Sequence, residues 1–348
     1  MTTIKDVARE AGVSVATVSR VFNNSAVVSE ATRTTVRQVA ERLNYWPNGA
    51  ARSLITNRTQ AIGVMLPDLF GEFYSEILRG MDWTARKAAL HLLVSSSHAD
   101  AGELVAGLNS TRGRIDGLIV MAPDVDASAA IRARAADLPL VLIDPGKGFE
   151  VCDTVAIANQ AGASAIVTHL TTLGHRRVAT ITGPARNADA RQRLDGYRAA
   201  LRAAGVEPAP GYEIPGDFTE PAGYAAGARL LALDPRPTAV FAANDYMAIG
   251  VMGALSDAGV RVPEDIAVAG FDDIAMSRYL NPPLTTAHVD AFRLGERAVE
   301  MLLEQEAAGD DPRPPRHEVL PTTLVVRSSC GTSSALQARG GLGRQRGR

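Results

Sequence analysis

The sequence predicts a small all-α head within residues 1–59, followed by a larger α/β core of two doubly wound parallel-sheet subdomains. In the head, apolar residues recur at the spacing of one helical stripe. From Gln60 onward, short apolar runs alternate with amphipathic helical segments, and strands that alternate with helices are typical of parallel sheets. At 348 residues, the chain is also too long for one small core.

The composition argues against membrane and secreted proteins. Hydrophobic residues make up 46% of the chain and charged residues 21%, as in soluble globular proteins. The longest apolar runs, such as 117–122 and 239–243, have the length of strands, so we expect no membrane span. No charged segment followed by an apolar run and a cleavage site opens the sequence, so we do not expect secretion. We therefore expect a cytoplasmic protein.

The cysteines and histidines predict neither a disulfide framework nor a metal site. Cys152 and Cys330 lie far apart, and the six histidines show no ligand spacing. The sequence contains no phosphate-cradling loop, dinucleotide fingerprint or nucleophile elbow, so we predict no cofactor and no catalytic residue. His175 precedes a predicted strand, which is the wrong side of a sheet for catalysis. An enzyme remains one alternative interpretation of the core.

The head and the core carry opposite net charge. Residues 1–59 contain eight basic and four acidic side chains, a net charge of +4. The remainder contains 28 basic and 34 acidic side chains, a net charge of −6. A positive head on a negative body is typical of a domain that binds a polyanion, attached to one that does not.

Three helices are predicted in the head. The first follows Thr3, after which Gly12 supplies a turn and Ser14 caps the second helix. The third runs from Ser29 to about Asn44. The apolar stripes of the first and third helices are Ile4, Val7, Ala8 and Ala11, and Val36, Val39, Ala40 and Leu43.

The second helix, predicted over residues 15–23, has two dissimilar sides. The side that packs on the first helix consists of Thr17, Val18, Val21 and Phe22. The free side consists of Val15, Ala16, Ser19, Arg20 and Asn23. Short side chains on the free side allow the helix to approach base edges in the major groove, where a long arginine can fork onto guanine.

These features predict a DNA-reading helix. We expect Val15 and Ala16 to contact thymine methyl groups and Arg20 to contact guanine. Ser14, Thr17 and Ser19 are placed to contact phosphates. A three-helix bundle without a nucleic-acid partner is the alternative interpretation.

The stretch from Thr3 to Asn24, TIKDVAREAGVSVATVSRVFNN, closely resembles the head of the LacI/GalR family of bacterial transcriptional regulators. Residues 44–48 and 51–54 also match, and the resemblance continues to about residue 330. It implies a λ-repressor-like helix-turn-helix domain over 1–47 and a periplasmic-binding-protein-like core over 60–330. It also implies a repressor that binds pseudo-palindromic double-stranded operator DNA as a homodimer, under the control of a small sugar-like effector.

Residues 48–59 are expected to form a hinge. Pro47 ends the bundle, and Asn48 can cap a short helix that is too short to be stable alone. The resemblance places Leu54 as a wedge between base pairs in the minor groove, and a plain linker is the alternative. The DNA-binding candidates are Thr3, Ser14, Val15, Ala16, Thr17, Ser19, Arg20, Asn23, Asn48, Arg52 and Leu54.

Strands in the core are predicted at 61–67, 91–96, 117–121, 140–143, 177–182, 239–242 and 266–270. The resemblance implies that the chain crosses between subdomains three times, near 158, 288 and 319. The N-subdomain then comprises about 60–158 and 288–318, and the C-subdomain about 159–287 and 319–330. Residues 331–348 are expected to be a disordered tail.

Ligands of doubly wound sheets bind beyond the carboxyl ends of the strands. The candidates there are Asp68, Phe73, Tyr74, Asp144, Asn187, Arg191, Arg193, Phe218, Asn244 and Asp272. Acids, amides, arginine and aromatic faces suit a polyhydroxylated ligand. The resemblance implies effector contacts for Arg193, Asn244, Asp272 and Phe218. Helix capping by Asp245 or Asp273 and core packing by the aromatic pair are the alternative interpretations.

Two departures from the family pattern affect the predicted cleft. Gly71-Glu72 stands where the family often has Asn-Pro, which adds a carboxylate near the cleft, and Ala158-Asn159 lacks an acid that is usual in the family. No C-terminal leucine heptad is visible, so we expect a dimer. A periplasmic transport receptor would fit the core, but the head and the missing signal sequence argue against it.

Overall fold

The computed structural model describes residues 2–22, 27–46, 58–123, 131, 138–145, 149, 151–308 and 314–331. The described chain forms two compact units, residues 1–60 and 61–348. The predictions for Asn23, Asn48, Arg52 and Leu54, and for the tail beyond Gly331, lie outside the described residues.

The first unit contains three helices, α1 (Ile4–Glu10), α2 (Val15–Phe22) and α3 (Glu30–Arg42). Hydrogen bonds at their N-termini explain where they begin. The Thr3 hydroxyl and backbone N–H both donate to the Asp6 carboxylate, at 2.7 and 3.0 Å. The Ser14 hydroxyl oxygen accepts from the Thr17 N–H at 3.1 Å. Such caps satisfy backbone N–H groups that have no partner within the helix.

A small apolar core holds these helices together. It consists of Val7, Ala8, Val18, Val21, Val36, Val39 and Ala40. Phe22 and Tyr45 close its edge in a T-shaped contact, with ring centroids 5.9 Å apart. The predicted stripes of all three helices therefore face one another.

The second unit has twelve strands within the described residues. The strands of its first half are β1 (Ala61–Leu66), β2 (His91–Ser96), β3 (Gly117–Met121), β4 (Leu140–Ile143) and β5 (Asp153–Ile157). Those of its second half are β6 (Val178–Thr182), β7 (Glu213–Pro215), β8 (Ala239–Ala242), β9 (Ala267–Ala269) and β10 (Thr286–His288). The last two strands are β11 (His317–Leu320) and β12 (Thr323–Val325).

Seven described helices connect these strands. They are α4 (Glu72–Lys87), α5 (Ala101–Ser110), α6 (Asn159–Thr172), α7 (Ala188–Ala203), α8 (Glu220–Leu231), α9 (Asp245–Asp257) and α10 (Ala291–Ala308). Short 3₁₀ helices lie at Ala275–Arg278 and Ser328–Cys330. No described helix is long and apolar enough to cross a bilayer.

The strands form two parallel sheets. The N-subdomain sheet has the order β11-β5-β4-β3-β1-β2, and the C-subdomain sheet has the order β7-β6-β8-β9. A short antiparallel pair, β10 and β12, accompanies them. Strands such as β3 and β8 are buried along their whole length because helices cover both faces of each sheet. The predicted fold class is thereby confirmed.

The chain passes between the two subdomains at three places. The first passage follows β5, and the second lies between β10 and α10. The third follows Leu320, because β11 pairs with β5 through the register Leu320↔Ile157. The predicted boundary at 318 therefore falls inside a strand and is placed too early. Hydrogen bonding to β5 keeps residues 319 and 320 in the N-subdomain sheet.

Close helix packing in the N-subdomain depends on two glycines. A Cβ atom at Gly80 of α4 would lie 1.9 Å from the carbonyl oxygen of Phe292 on α10, and one at Gly295 would lie 2.0 Å from the carbonyl oxygen of Ile77. The clashing atoms belong to the backbone, which cannot relieve the clash by a rotamer change as a side chain can.

We predict that Gly80→Ala lowers the free energy of unfolding by about 1–3 kcal/mol, because α4 and α10 must move apart. The matched control is Gly253→Ala on α9, where the new Cβ would be 3.5 Å from its nearest neighbour. The control should be neutral or stabilising by up to about 1 kcal/mol. Urea denaturation measures both, and equal stability of the two variants would contradict the packing argument.

Candidate functional site

A cleft of about 2360 Å³ lies between the subdomains. Its walls are the segments that follow the carboxyl ends of strands in both sheets, including 67–74, 184–195, 217–221 and 244–249. Ligands of doubly wound folds bind at this edge of the sheet. The cleft is therefore the candidate effector site of the core.

Arg193 is a buried residue of the cleft floor. It is only 4% exposed, although its guanidinium carries a full charge. Its Nη1 donates to the Ala243 carbonyl oxygen at 2.6 Å and to Asp272 Oδ1 at 3.1 Å, and its Nε donates to Asn159 Oδ1 at 2.8 Å. The Phe271 ring centroid lies 3.9 Å from its Cζ. These contacts hold the guanidinium in one position.

Asp272 follows β9 and has a positive φ of 106°. Burial raises the pKa of its carboxyl group to about 6, and the positive charge and hydrogen bond of Arg193 offset part of that increase. The carboxylate is thus held at the floor of the cleft as a hydrogen-bond acceptor near neutral pH.

Asp144 was predicted to line the cleft, but the structure places it elsewhere. The described lining includes Pro145 but not Asp144, whose Oδ1 accepts from the Ile157 N–H at 2.8 Å. Its Oδ2 is buried and has no hydrogen-bond partner within the described chain. Burial and the neighbouring Asp189 raise the pKa of this carboxyl group well above its usual value. Asp144 therefore lies behind the cleft floor, beside the first passage between the subdomains.

Two predicted asparagines have capping roles. Asn187 Oδ1 accepts from the Ala190 N–H at 2.9 Å, and Asn244 Oδ1 accepts from the Met247 N–H at 2.9 Å. Asn244 Nδ2 also donates to the Phe218 carbonyl oxygen at 2.9 Å. This bond helps to hold Phe218, which has a φ of 73° and a ring centroid 5.7 Å from the Arg193 Cζ. Both asparagines line the cleft while they begin α7 and α9.

The remaining predicted residues lie nearer the rim. Asp68 is exposed, and its Oδ1 accepts from the N–H groups of Leu69 and Phe70. Phe73 and Tyr74 contact each other edge to face, with centroids 5.4 Å apart, and pack partly against the core. Arg191 is exposed and donates to carbonyl oxygens of its own loop. All four residues border the cleft.

The structure adds three buried polar residues that the sequence reasoning did not select. Asn159 Nδ2 donates to Asp189 Oδ1 at 3.1 Å, so Asn159 joins Asp189 to Arg193. Asp245 accepts hydrogen bonds from the hydroxyls of Ser277 and Thr286, at 2.6 Å each, and from the Ile274 N–H. Burial raises the pKa of Asp245 to about 7. Each of the three residues stands in the first turn of its helix. The sequence can show that a carboxyl or amide side chain lies at a helix start, but it does not show which distant residues that side chain contacts.

The N-terminus of α4 bridges the cleft mouth. The Glu72 carboxylate accepts from the Ala275 N–H of the C-subdomain at 2.5 Å. The Glu72 N–H donates to the Tyr246 hydroxyl at 3.1 Å, and the Phe70 and Tyr246 rings lie 6.3 Å apart. The carboxylate that distinguishes this chain from the family pattern therefore links the two subdomains.

The head presents a second candidate surface on α2. Val15 is 41% exposed, and Ala16 and Arg20 are also exposed. Ser14 and Thr3 act as caps through the bonds described above, and Thr17 and Ser19 are half-buried. The exposed side of α2 thus combines small apolar groups with one long cation.

Comparison with known proteins identifies the family. Residues 3–48 match the family model for bacterial regulatory proteins of the lacI family, and residues 167–330 match a periplasmic binding protein-like domain. The ribose operon repressor of Escherichia coli strain K12 is 39% identical over 307 residues, which cover 88% of this chain and 93% of that protein. The chain belongs to the LacI family. The PurR repressor of Photobacterium profundum is 36% identical over 334 residues, covering 94% and 98% of the two chains.

Solved structures of LacI-family proteins share the fold. The lac repressor dimer bound to operator and an anti-inducer superposes with a TM-score of 0.85 at 32% identity, covering 94% of this chain and 99% of that one. A LacI-family regulator from Enterococcus faecium with bound ribose has a TM-score of 0.68 at 28% identity, covering 77% and 98%. The named relatives are transcriptional repressors, which confirms the prediction of a regulator rather than an enzyme.

The raised pKa of Asp272 predicts a pH-dependent stability of the core. The folded core retains a proton on this group up to about pH 6, whereas the unfolded chain releases it near pH 3.8. Its contribution to stability therefore falls as the pH rises through this window. Asp272→Asn mimics the protonated form at every pH. The free energy of unfolding of the variant minus that of wild type should therefore be about 1–3 kcal/mol more positive at pH 7.5 than at pH 4.5.

Urea denaturation of the core at the two pH values measures this difference. Asp265→Asn is the control, because the hydrogen bond from Arg261 lowers the Asp265 pKa to about 2 and it titrates below the window. Its stability relative to wild type should be the same at both pH values. A pH-independent difference for Asp272→Asn would show that its carboxyl is not perturbed as described.

Proposed function

We propose that this LacI-family protein is a cytoplasmic, homodimeric transcriptional repressor whose affinity for a pseudo-palindromic operator is controlled by a small sugar in the core cleft. The observation that carries the proposal is the buried cluster at Arg193, which places a guanidinium, an amide and a carboxylate beside an aromatic ring at the carboxyl ends of the C-subdomain strands. We assign residues 1–47 to operator reading, 48–59 to the hinge and 60–330 to effector sensing.

In the head, α2 enters the major groove. The exposed Val15 and Ala16 are short enough for the helix to approach thymine methyl groups, and Arg20 reaches guanine. The half-buried Thr17 and Ser19 lie on the flank of the helix, where phosphates pass. Two heads, related by the twofold axis of a dimer, read the two halves of the operator. Leu54 acts as a minor-groove wedge in the hinge.

In the core, the cleft chemistry fits a polyol. Asp272 accepts a hydrogen bond from one sugar hydroxyl, and Arg193 donates one to an adjacent hydroxyl. Phe218 covers an apolar face of the sugar ring. The remaining effector contacts come from Asp68, Phe73, Tyr74, Asn187, Arg191 and Asn244, with Asp144 acting from behind the floor. D-Ribose is the first candidate, because the E. coli relative is named a ribose operon repressor and the E. faecium neighbour contains ribose.

Effector binding changes the operator affinity through the angle between the subdomains. Within the part of the chain that the structure describes, the backbone passes between the subdomains after β5, β10 and β11, so the cleft can widen or narrow without unfolding either sheet. A ligand that bridges the cleft stabilises one angle. The resulting coupling must be equal in both directions between sugar and DNA.

We predict that saturating D-ribose changes the operator affinity of the full-length protein about 5- to 150-fold. The operator is first selected from random duplexes by the protein itself, and its affinity is then measured by fluorescence anisotropy with D-ribose, D-xylose, D-galactose and D-glucose. Arg20→Ala is the control: it should lose base preference at one pair of each half-site and retain sugar binding. An operator affinity that none of these sugars alters would contradict the proposal.

A further inference from the structure

The helix N-termini around the cleft are the places where an α/β protein would hold a phosphate, because their free N–H groups and dipoles attract anions. In this chain, these positions already carry acids. The first turns of α4, α7, α8 and α9 contain Glu72, Asp189, Glu220 and Asp245. Helix α5 likewise begins with Asp100 as its cap and Glu103 in its first turn.

At three of these helices, α7, α8 and α9, side-chain caps also occupy backbone N–H groups. Side chains of Asn187, Thr219 and Asn244 accept hydrogen bonds from backbone N–H groups at the starts of α7, α8 and α9. Helix α6 has no acid in its first turn, but its Asn159 is bonded to Asp189 and the preceding Ile157 N–H to Asp144. The cleft-facing helix starts are thus supplied with negative charge from within the protein.

The charged residues of the whole lining, the helix-start acids included, show the same bias. The described lining contains eight carboxyl groups and three arginines. Two of these three arginines already donate to protein acceptors, Arg193 through Nε and Nη1 and Arg191 through bonds to the carbonyl oxygens of Ala185 and Arg186. Burial is the cause of the raised pKa of Asp272, so a negative charge without a partner is also unfavourable at this depth of the cleft. A cleft lined mainly by one sign of charge repels ligands of that sign.

We infer that this cleft binds an uncharged polyhydroxylated ligand and excludes the phosphorylated and carboxylated derivatives of the same sugar. The inference rests on the proposed function, because it specifies the effector of the same site. Glu72 is the residue through which it is most cleanly tested. Its carboxylate borders the cleft, and a glutamine there retains the oxygen that accepts from the Ala275 N–H.

Isothermal titration of the full-length protein with D-ribose, D-ribose 5-phosphate and D-ribonate tests the inference. We expect both anions to bind at least tenfold more weakly than D-ribose at low salt, and we expect the ratio to shrink at high salt because the repulsion is screened. If D-xylose, D-galactose or D-glucose binds instead of D-ribose, the titration uses the phosphorylated and the carboxylated derivative of that sugar. An anion that binds as tightly as the neutral sugar would overturn the inference and leave the sugar-controlled repressor intact. Binding of none of the neutral sugars would overturn the proposed function itself.

Glu72→Gln separates charge from shape. It should raise the affinity for the 5-phosphate relative to the neutral sugar about threefold or more, because one nearby negative charge is lost while the hydrogen-bond acceptor remains. The matched control is Glu76→Gln, one turn along α4, where Glu76 pairs with Arg79 and does not line the cleft. The control should leave the affinity ratio unchanged. An identical ratio in wild type and both variants, insensitive to salt, would show that exclusion is steric and would overturn the electrostatic inference.

Discussion

The buried guanidinium of Arg193 is the interaction on which the cleft depends. It joins the start of α6 through Asn159, the end of β8 through the Ala243 carbonyl and the end of β9 through Asp272. A buried charge is costly unless it is paired and hydrogen-bonded, and this one has all three acceptors and a ring face. Because these elements come from separate parts of the chain, the guanidinium determines where the cleft floor lies.

The acids around this guanidinium explain the character of the site. One buried cation is surrounded by Asp272, Asp189 and Asp144, two of which have clearly raised pKa values. Such a cluster favours ligands that donate hydrogen bonds without adding negative charge. At the mouth, Glu72 extends the same chemistry and links the C-subdomain by a hydrogen bond. We therefore propose that the floor and the mouth favour the same class of ligand.

Much of the fold could be predicted from the sequence because local patterns determine it. The predicted strands at 91–96, 117–121, 140–143 and 239–242 coincide with β2, β3, β4 and β8. Buried parallel strands are continuous apolar runs, and the head helices begin at residues whose side chains can cap them. The start of the third passage was placed too early, because a pairing of β11 with a strand more than 150 residues away leaves no local signal.

The cleft residues were predictable to a different degree. Arg193, Asn244 and Asp272 stand in motifs that resemble the family, and the structure brings all three to one cleft. Asn159 and Asp245 were missed because their importance comes from long-range partners, such as Arg193 and Thr286. Asp144 was assigned from its position after β4, but the positive φ of its backbone and its bond to Ile157 place its carboxyl behind the lining. Position along a strand indicates an edge of the sheet, not the depth of a side chain.

We propose that the Arg193 cluster senses the effector and that the head does not need this cluster to bind DNA. The most direct measurement is the operator affinity of Arg193→Gln with and without saturating sugar. We expect that the variant binds operator, that its operator affinity no longer responds to sugar, and that its sugar binding is weakened at least a hundredfold, about 3 kcal/mol. A variant whose operator affinity still shifts with sugar as in wild type would show that Arg193 does not sense the effector.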